Sequence, residues 1–281
     1  MRSSNPIFSR RGFSRSNEYA GFHQGAPQPG NPYAAHAGAP RDLTADELRA
    51  MYRAPAAGPV QTGRMTIDDV VVRTGLTLGT VVVGALLAWF TLPVSGTGYA
   101  IAFGSAVVAF VLAVIQAFLR TPMPVLILGY ALFEGVFLGV VSNMFNAAWA
   151  GAPVQAVLGT MAVFAGMLIA YRSRLIRVTR RYYRAGMAIA IGFVLLMLAN
   201  LLFAAFGGEG LGLRSGGLGI AFGIVGVLLG AFFLSLDFKM IEDGIRGGAP
   251  QKESWLAAFG LTVSLVWIYL EMLRLIAILR D

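Results

Sequence analysis

Residues 172–206 read RSRLIRVTRRYYRAGMAIAIGFVLLMLANLLFAAF, and this stretch decides the fold. Its first part, residues 172–184, carries six arginines and no acidic residue, whereas residues 185–206 carry no charge. About 20 consecutive apolar residues cross the hydrocarbon core of a bilayer as a helix. Lys and Arg concentrate in loops on the cytoplasmic side of a membrane. The stretch therefore predicts a transmembrane helix that begins at the cytoplasmic surface.

Apolar spans of similar length recur on both sides of this stretch. Only 13% of the 281 residues are charged, against about 25% in soluble domains. The chain is therefore predicted to be an all-α integral membrane protein with seven transmembrane helices. The other six spans cover residues 70–92, 98–119, 124–146, 152–171, 215–236 and 256–279.

The remaining basic residues fit one orientation. The N-terminal region and Arg120, between the second and third spans, fall on the same side as the six arginines. We expect a cytoplasmic N-terminus and, with an odd number of helices, an external C-terminus. Arg greatly outnumbers Lys, and Ala and Gly are abundant, which indicates a bacterial cell membrane as the location.

Residues 1–64 are rich in Pro, Gly, Ser and Arg and poor in large aliphatic residues. Such a segment cannot bury enough apolar surface to offset the entropy of ordering it. We predict a disordered basic cytoplasmic tail with one short helix near residues 44–53, and a transmembrane domain over residues 65–281. A capping box, Thr66 to Asp69, is predicted to start the first transmembrane helix.

Few ionisable residues lie inside the predicted spans, and an ionisable group within a membrane is a functional candidate. Glu134 and Glu271 are predicted at similar depth, with Asn200 in the same layer and Arg274 nearly one turn beyond Glu271. These groups could serve only as structural hydrogen bonds and an ion pair. Alternatively, two carboxylates that share a dry site cannot both ionise, which would make a proton or cation relay.

Asp237 follows about twenty apolar residues and is predicted to end the sixth helix. An acid at a helix C-terminus opposes the helix dipole, so its placement requires a compensating reason. Two interpretations remain open from the residues alone: a gate or cation-binding group, and an exposed acid at a helix end.

Several chemistries lack the residues that they require. The chain has no Cys, and its two histidines, His23 and His36, lie in the tail. Both lysines, Lys239 and Lys252, fall in the sixth loop, which excludes a retinal Schiff base within a helix. We therefore expect no enzyme activity and no cofactor. We also expect no nucleic-acid partner, because the basic residues act as topology signals.

Small-residue motifs predict close helix packing within the bilayer. They are Gly75-x-x-x-Gly79, Gly135-x-x-x-Gly139, Gly219-x-x-x-Gly223 and Gly226-x-x-x-Gly230.

Four stretches resemble the Bax inhibitor 1 family, in the bacterial branch with a long basic tail. They are SSNPIFSR near the N-terminus, MTIDDVV from Met65, YALFEGVFLG from Tyr130, and LSLD from Leu234 together with residues 258–279. The resemblance implies two layers of three helices around a central seventh helix, and pH-sensitive calcium leak activity. It also implies an aspartate pair between helices six and seven. Asp237 matches the first aspartate, whereas Ser264 stands at the second, with Glu271 seven residues further along.

The sequence and the resemblance together favour a pH-sensitive leak channel for Ca²⁺ or H⁺. Protonation of Asp237, Glu271 and Glu134 would gate it, and Asp237 and Glu271 are the candidate Ca²⁺ ligands. The alternative is a non-conducting scaffold in the lipid bilayer that binds other membrane proteins, such as a protease or translocation machinery.

Overall fold

The computed structural model of the chain describes residues 63–206 and 215–280. Most of the predicted disordered tail, including the expected helix near 44–53, lies outside the described residues. Within them, seven helices are long and apolar enough to cross a membrane, as predicted. They are α1 (Ile67–Thr91), α2 (Gly96–Phe118), α3 (Pro124–Ala148), α4 (Ala152–Arg172), α5 (Arg180–Ala205), α6 (Gly216–Arg246) and α7 (Ser254–Arg280).

The first helix begins at the predicted capping box. The Thr66 hydroxyl accepts a hydrogen bond from the backbone N–H of Asp69, and the Asp69 carboxylate accepts one from the N–H of Thr66, both at 3.1 Å. These bonds satisfy donors that have no partner within the helix.

Helix α7 lies at the centre of the bundle. It packs against α6, α1, α4 and α3, while α2 packs on α3 and α5 packs on α6. Hydroxyl groups tie it to its neighbours: Thr262 bonds Thr77 of α1 at 2.9 Å, and Tyr269 bonds Ser142 of α3 at 2.6 Å. Helices α1–α3 therefore lie on one side of α7 and α4–α6 on the other, as expected for two layers around a central helix.

Helix α6 is longer than the sequence predicts, and Asp237 does not end it. The helix continues for nine residues beyond Asp237, to Arg246. Ion pairs one turn apart support this extension: Arg246 pairs with Glu242 at 2.6 Å, and Lys239 pairs with Asp243. The predicted conflict between Asp237 and a helix C-terminus therefore does not arise.

Small residues bring α1 and α3 into backbone contact. A Cβ atom at Gly135 would lie 2.3 Å from the carbonyl oxygen of Val81, and one at Gly139 would lie 2.3 Å from that of Ala85. The predicted packing role of this motif is correct. Gly75 and Gly79 make no such contact among the described residues, because none of those residues lies within 4 Å of a Cβ at either position.

This difference predicts the effect of four alanine substitutions. Gly135→Ala and Gly139→Ala should each destabilise the protein by about 1–3 kcal/mol, because backbone atoms cannot rotate away from the new methyl group. Gly75→Ala and Gly79→Ala are the matched controls and should cost nothing, since a methyl there meets open space and alanine favours the helix. Equilibrium unfolding in mixed detergent micelles measures all four, and equal losses at all four positions would contradict the assigned faces.

Candidate functional site

The interface between α6 and α7, here called the seam, is lined by glycines that admit side chains of the facing helix. A Cβ atom at Gly230 of α6 would lie 2.3 Å from Cγ1 of Ile268, and one at Gly223 would lie 3.0 Å from Cδ1 of Leu275. In a bilayer, small residues let helix backbones approach closely. The seam therefore has little spare volume, and any polar group within it is closely surrounded.

Asp237 of α6 lies in this seam opposite Gly260 and Ser264 of α7. The Ser264 hydroxyl donates a hydrogen bond to Oδ2 of Asp237 at 2.6 Å. A Cβ atom at Gly260 would lie 2.8 Å from Oδ1. The carboxylate of Asp237 thus fills a notch that glycine leaves open, and its one direct side-chain donor among the described residues is Ser264.

Glu271 of α7 has the mirrored arrangement. A Cβ atom at Gly226 of α6 would lie 2.7 Å from both Cδ and Oε2 of Glu271. The indole N–H of Trp267, one turn earlier, donates to the carbonyl oxygen of Gly226 at 2.9 Å. Each helix of the seam therefore places one carboxylate over a glycine of the other.

Arg274 pairs with Glu271 within the membrane-spanning part of α7. Nη2 of Arg274 lies 3.1 Å from Oε2 of Glu271, and the two side chains are 11% and 12% exposed. The pair borders a cavity of about 300 Å³, whose other lining residues are apolar. They are Phe137, Val141, Phe145, Trp267, Leu270 and Leu273.

Glu134 and Glu271 do not lie in one layer, contrary to the prediction. The rings of Tyr130 and Phe259 meet edge to face, with centroids 5.2 Å apart, which aligns α3 with α7. Glu134 comes four residues after Tyr130 and Glu271 comes twelve after Phe259, so they lie about 6 Å and 18 Å beyond that contact. Glu134 makes no hydrogen bond or ion pair with another residue that the structure describes.

Asn200 belongs to the deeper layer with Glu271 and Arg274. It is buried, and the rings of Phe193 and Trp267, with centroids 5.9 Å apart, align α5 with α7. Asn200 lies about 10 Å beyond that contact, and Glu271 and Arg274 lie about 6 Å and 10 Å beyond it.

The predicted carboxylates do not form a shared metal site. Ser264 marks the level of Asp237 on α7, and Glu271 lies seven residues further, about 10 Å along the axis. In the described part of the chain, no three His, Cys, Asp or Glu residues come close enough to hold one metal ion. Asp237 and Glu271 therefore occupy two separate positions along the seam, here called stations.

The residues that lead into α1 pack against the end of the seam that holds Asp237. The backbone N–H of Met65 donates to the carbonyl oxygen of Ala249 at 2.8 Å, and that of Gln251 donates to Gly63 at 2.8 Å. The Met65 side chain is buried against residues that flank Asp237 and Gly260 in sequence. These residues are Leu234, Phe238, Ala257 and Leu261.

Comparison with known proteins adds to this geometry. The family model described as Bax inhibitor 1 like matches residues 5–281, nearly the whole chain. The chain belongs to the Bax inhibitor 1 like family. A search of the curated proteins returns no match. In this family member, the position that the resemblance assigns to a second aspartate is Ser264, and the structure places its hydroxyl directly on Asp237.

Sequence reasoning did not find three of the residues that shape the site in this Bax inhibitor 1 like protein. Gly226 was recognised only as half of a packing motif, although it opens the notch for Glu271. Met65 and Gly260 lie in stretches that resemble the family, but their pattern does not mark either residue as part of a site. The available signal for Gly260 was its spacing, one turn before Ser264 on the same face of α7.

The hydrogen bond between Ser264 and Asp237 predicts energetic coupling. In a double-mutant cycle of Ser264→Ala and Asp237→Ala, we expect a coupling energy of about 1 kcal/mol, because each single change leaves a buried partner without its bond. Equilibrium unfolding in mixed micelles measures it. The control cycle combines Asp237→Ala with Thr80→Ala. The Thr80 hydroxyl donates to the Leu76 carbonyl of its own helix and does not contact Asp237. That cycle should be additive, and additivity in the Ser264 cycle would refute the assigned bond.

Proposed function

We propose that this protein conducts cations, Ca²⁺ or H⁺, along the seam between α6 and α7, and that protonation of Asp237 and Glu271 controls the flux. One observation carries the proposal: each carboxylate lies between membrane-spanning helices, in a notch that a glycine of the facing helix leaves open. Membership in the Bax inhibitor 1 like family supports the same reading, since the resemblance implies leak channels of this type.

The chemistry of the two stations suits hard cations. Ca²⁺ prefers oxygen ligands, and rings or rows of carboxylates give cation selectivity in pores. Asp237 offers carboxylate oxygens near the tail end of the seam, and Glu271 offers them deeper in the membrane. Asn200 adds an amide oxygen at the depth of Glu271. A cation would pass from one station to the other rather than bind in one chelating site.

Protonation alters the seam because a neutral carboxyl and an ionised one require different surroundings. A neutral carboxyl fits among packed side chains with one hydrogen bond, and Asp237 has one such bond, from Ser264. An ionised carboxylate in a membrane needs water or a cation beside it. Deprotonation therefore admits water and cations to the seam, and flux rises with pH. Arg274 serves as the resident counter-charge of Glu271.

Substitution of the carboxylates tests this function directly. In liposomes that contain a trapped Ca²⁺ dye, wild-type flux should rise from acidic to neutral pH. Asp237→Asn should abolish most of that rise because the residue no longer ionises. Glu271→Gln should do the same because Arg274 then lacks its counter-charge and repels cations. Glu134→Gln is the matched control: it removes a membrane-embedded carboxylate from α3, which packs on α1, α2, α4 and α7 but not on α6.

The control should conduct like the wild type. Flux at the level of empty liposomes, from protein shown to be folded, would contradict the channel and leave the non-conducting scaffold. Equal losses in all three variants would contradict the assignment of the path to the seam.

Ser264→Asp tests the role of the serine in the same assay. It places a second carboxylate against Asp237, and two carboxylates in contact share one proton rather than both ionise. We expect the pH of half-maximal flux to move upward by about one unit or more. Ser264→Asn, which adds similar volume without charge, should leave that pH unchanged. An unchanged midpoint in Ser264→Asp would show that Asp237 does not control the flux.

A further inference from the structure

Residues 172–184, here called the arginine segment, join α4 to α5 and carry the highest density of positive charge in the described chain. The segment has no acidic residue, and all six of its arginines are exposed. They are Arg172, Arg174, Arg177, Arg180, Arg181 and Arg184.

The arginine segment lies at the same end of the bundle as the entry of the tail. At the end of α4, the Tyr171 hydroxyl donates to the carboxylate of Glu242, near the end of α6. At the start of α5, the Tyr182 hydroxyl lies 3.1 Å from that of Ser235. Because these helices span the membrane, the segment between them lies at the level of the lipid headgroups.

The nearby acids of the bundle are already engaged. Glu242 pairs with Arg246 at 2.6 Å and accepts from Tyr171, and Asp243 pairs with Lys239. No arginine of the segment forms a salt bridge with a residue that the structure describes. The segment therefore presents six positive charges that the described protein does not neutralise.

The backbone of the segment exposes an apolar side chain beside these charges. Arg174 has φ of 59°, a left-handed conformation that residues other than glycine seldom adopt. It is followed by Leu175, which is 81% exposed, and Tyr183 is 48% exposed nearby. Apolar and aromatic groups beside Arg are typical of surfaces that rest in the boundary between headgroups and acyl chains. Arg174 directly follows the C-cap of α4, where a left-handed residue commonly ends a helix and turns the chain outward.

We propose that the arginine segment binds the phosphate groups of anionic phospholipids, with Arg174, Arg177 and Arg181 as contacts and Leu175 inserted at the acyl boundary. The planar guanidinium group matches two phosphate oxygens at once, which favours direct contact over diffuse attraction. Topology rules account for the side on which the arginines lie. Those rules do not require that the arginines bind a lipid headgroup, which is what we propose.

Native mass spectrometry of the full-length protein, titrated with phosphatidylglycerol or phosphatidylcholine, tests the proposal. The wild type should retain phosphatidylglycerol in preference to phosphatidylcholine. Combined Arg174→Gln, Arg177→Gln and Arg181→Gln should weaken phosphatidylglycerol binding by about a hundredfold, from roughly 1 kcal/mol per charge near an anionic surface. The corresponding triple Lys variant keeps the charge and should lose less.

A control variant carries Arg10→Gln, Arg11→Gln and Arg15→Gln in the tail, with the same change in net charge. It should bind phosphatidylglycerol as the wild type does. The membrane orientation of each variant is checked by labelling a single cysteine added to the tail, since the chain contains none.

Equal retention of the two lipids by the wild type, full retention by the triple Gln variant, or an equal loss in the tail variant would each overturn the proposal. Displacement of phosphatidylglycerol by millimolar inorganic phosphate would also overturn it, because the segment would then be a site for free phosphate.

Discussion

The close approach of α6 to α7 is the constraint on which the rest of the structure depends. Gly223, Gly226 and Gly230 of α6 lie against side chains of α7, and Gly260 of α7 lies against Asp237. In lipid, hydrophobic burial does not hold helices together, so close van der Waals contact and interhelical hydrogen bonds must do so. The glycines permit this contact, and they also create the notches that the two carboxylates fill. Packing and the candidate chemistry therefore occupy the same surface.

This arrangement explains how ionisable groups persist in a membrane without disrupting the bundle. Asp237 has the hydroxyl of Ser264, and Glu271 has the guanidinium of Arg274. A serine in contact with Asp237 means that one carboxylate, rather than a pair, occupies this level of the seam. The second carboxylate lies about two turns further along α7.

Hydropathy predicted all seven membrane helices because a bilayer requires long apolar segments, whatever their packing partners. It could not predict that α6 continues to Arg246, since that extension lies outside the apolar span and depends on local ion pairs. The shared layer of Glu134 and Glu271 was wrong because the register between helices is set by tertiary contacts such as Tyr130 with Phe259. Gly75 and Gly79 contact no other helix among the described residues, since spacing identifies a helix face but does not identify what that face meets.

If the seam carries cations, water must reach Asp237. Because the chain contains no cysteine, Ser264→Cys places a single thiol at the Asp237 contact. Its rate of modification by a cationic methanethiosulfonate and by an anionic one of similar size, normalised to a cysteine at Ser16 in the tail, measures aqueous and charge-selective access. We predict several-fold faster reaction with the cationic reagent, a preference that disappears when Asp237→Asn is added. A thiol that neither reagent reaches at any pH, while the tail cysteine reacts, would show that the seam is dry and does not conduct cations.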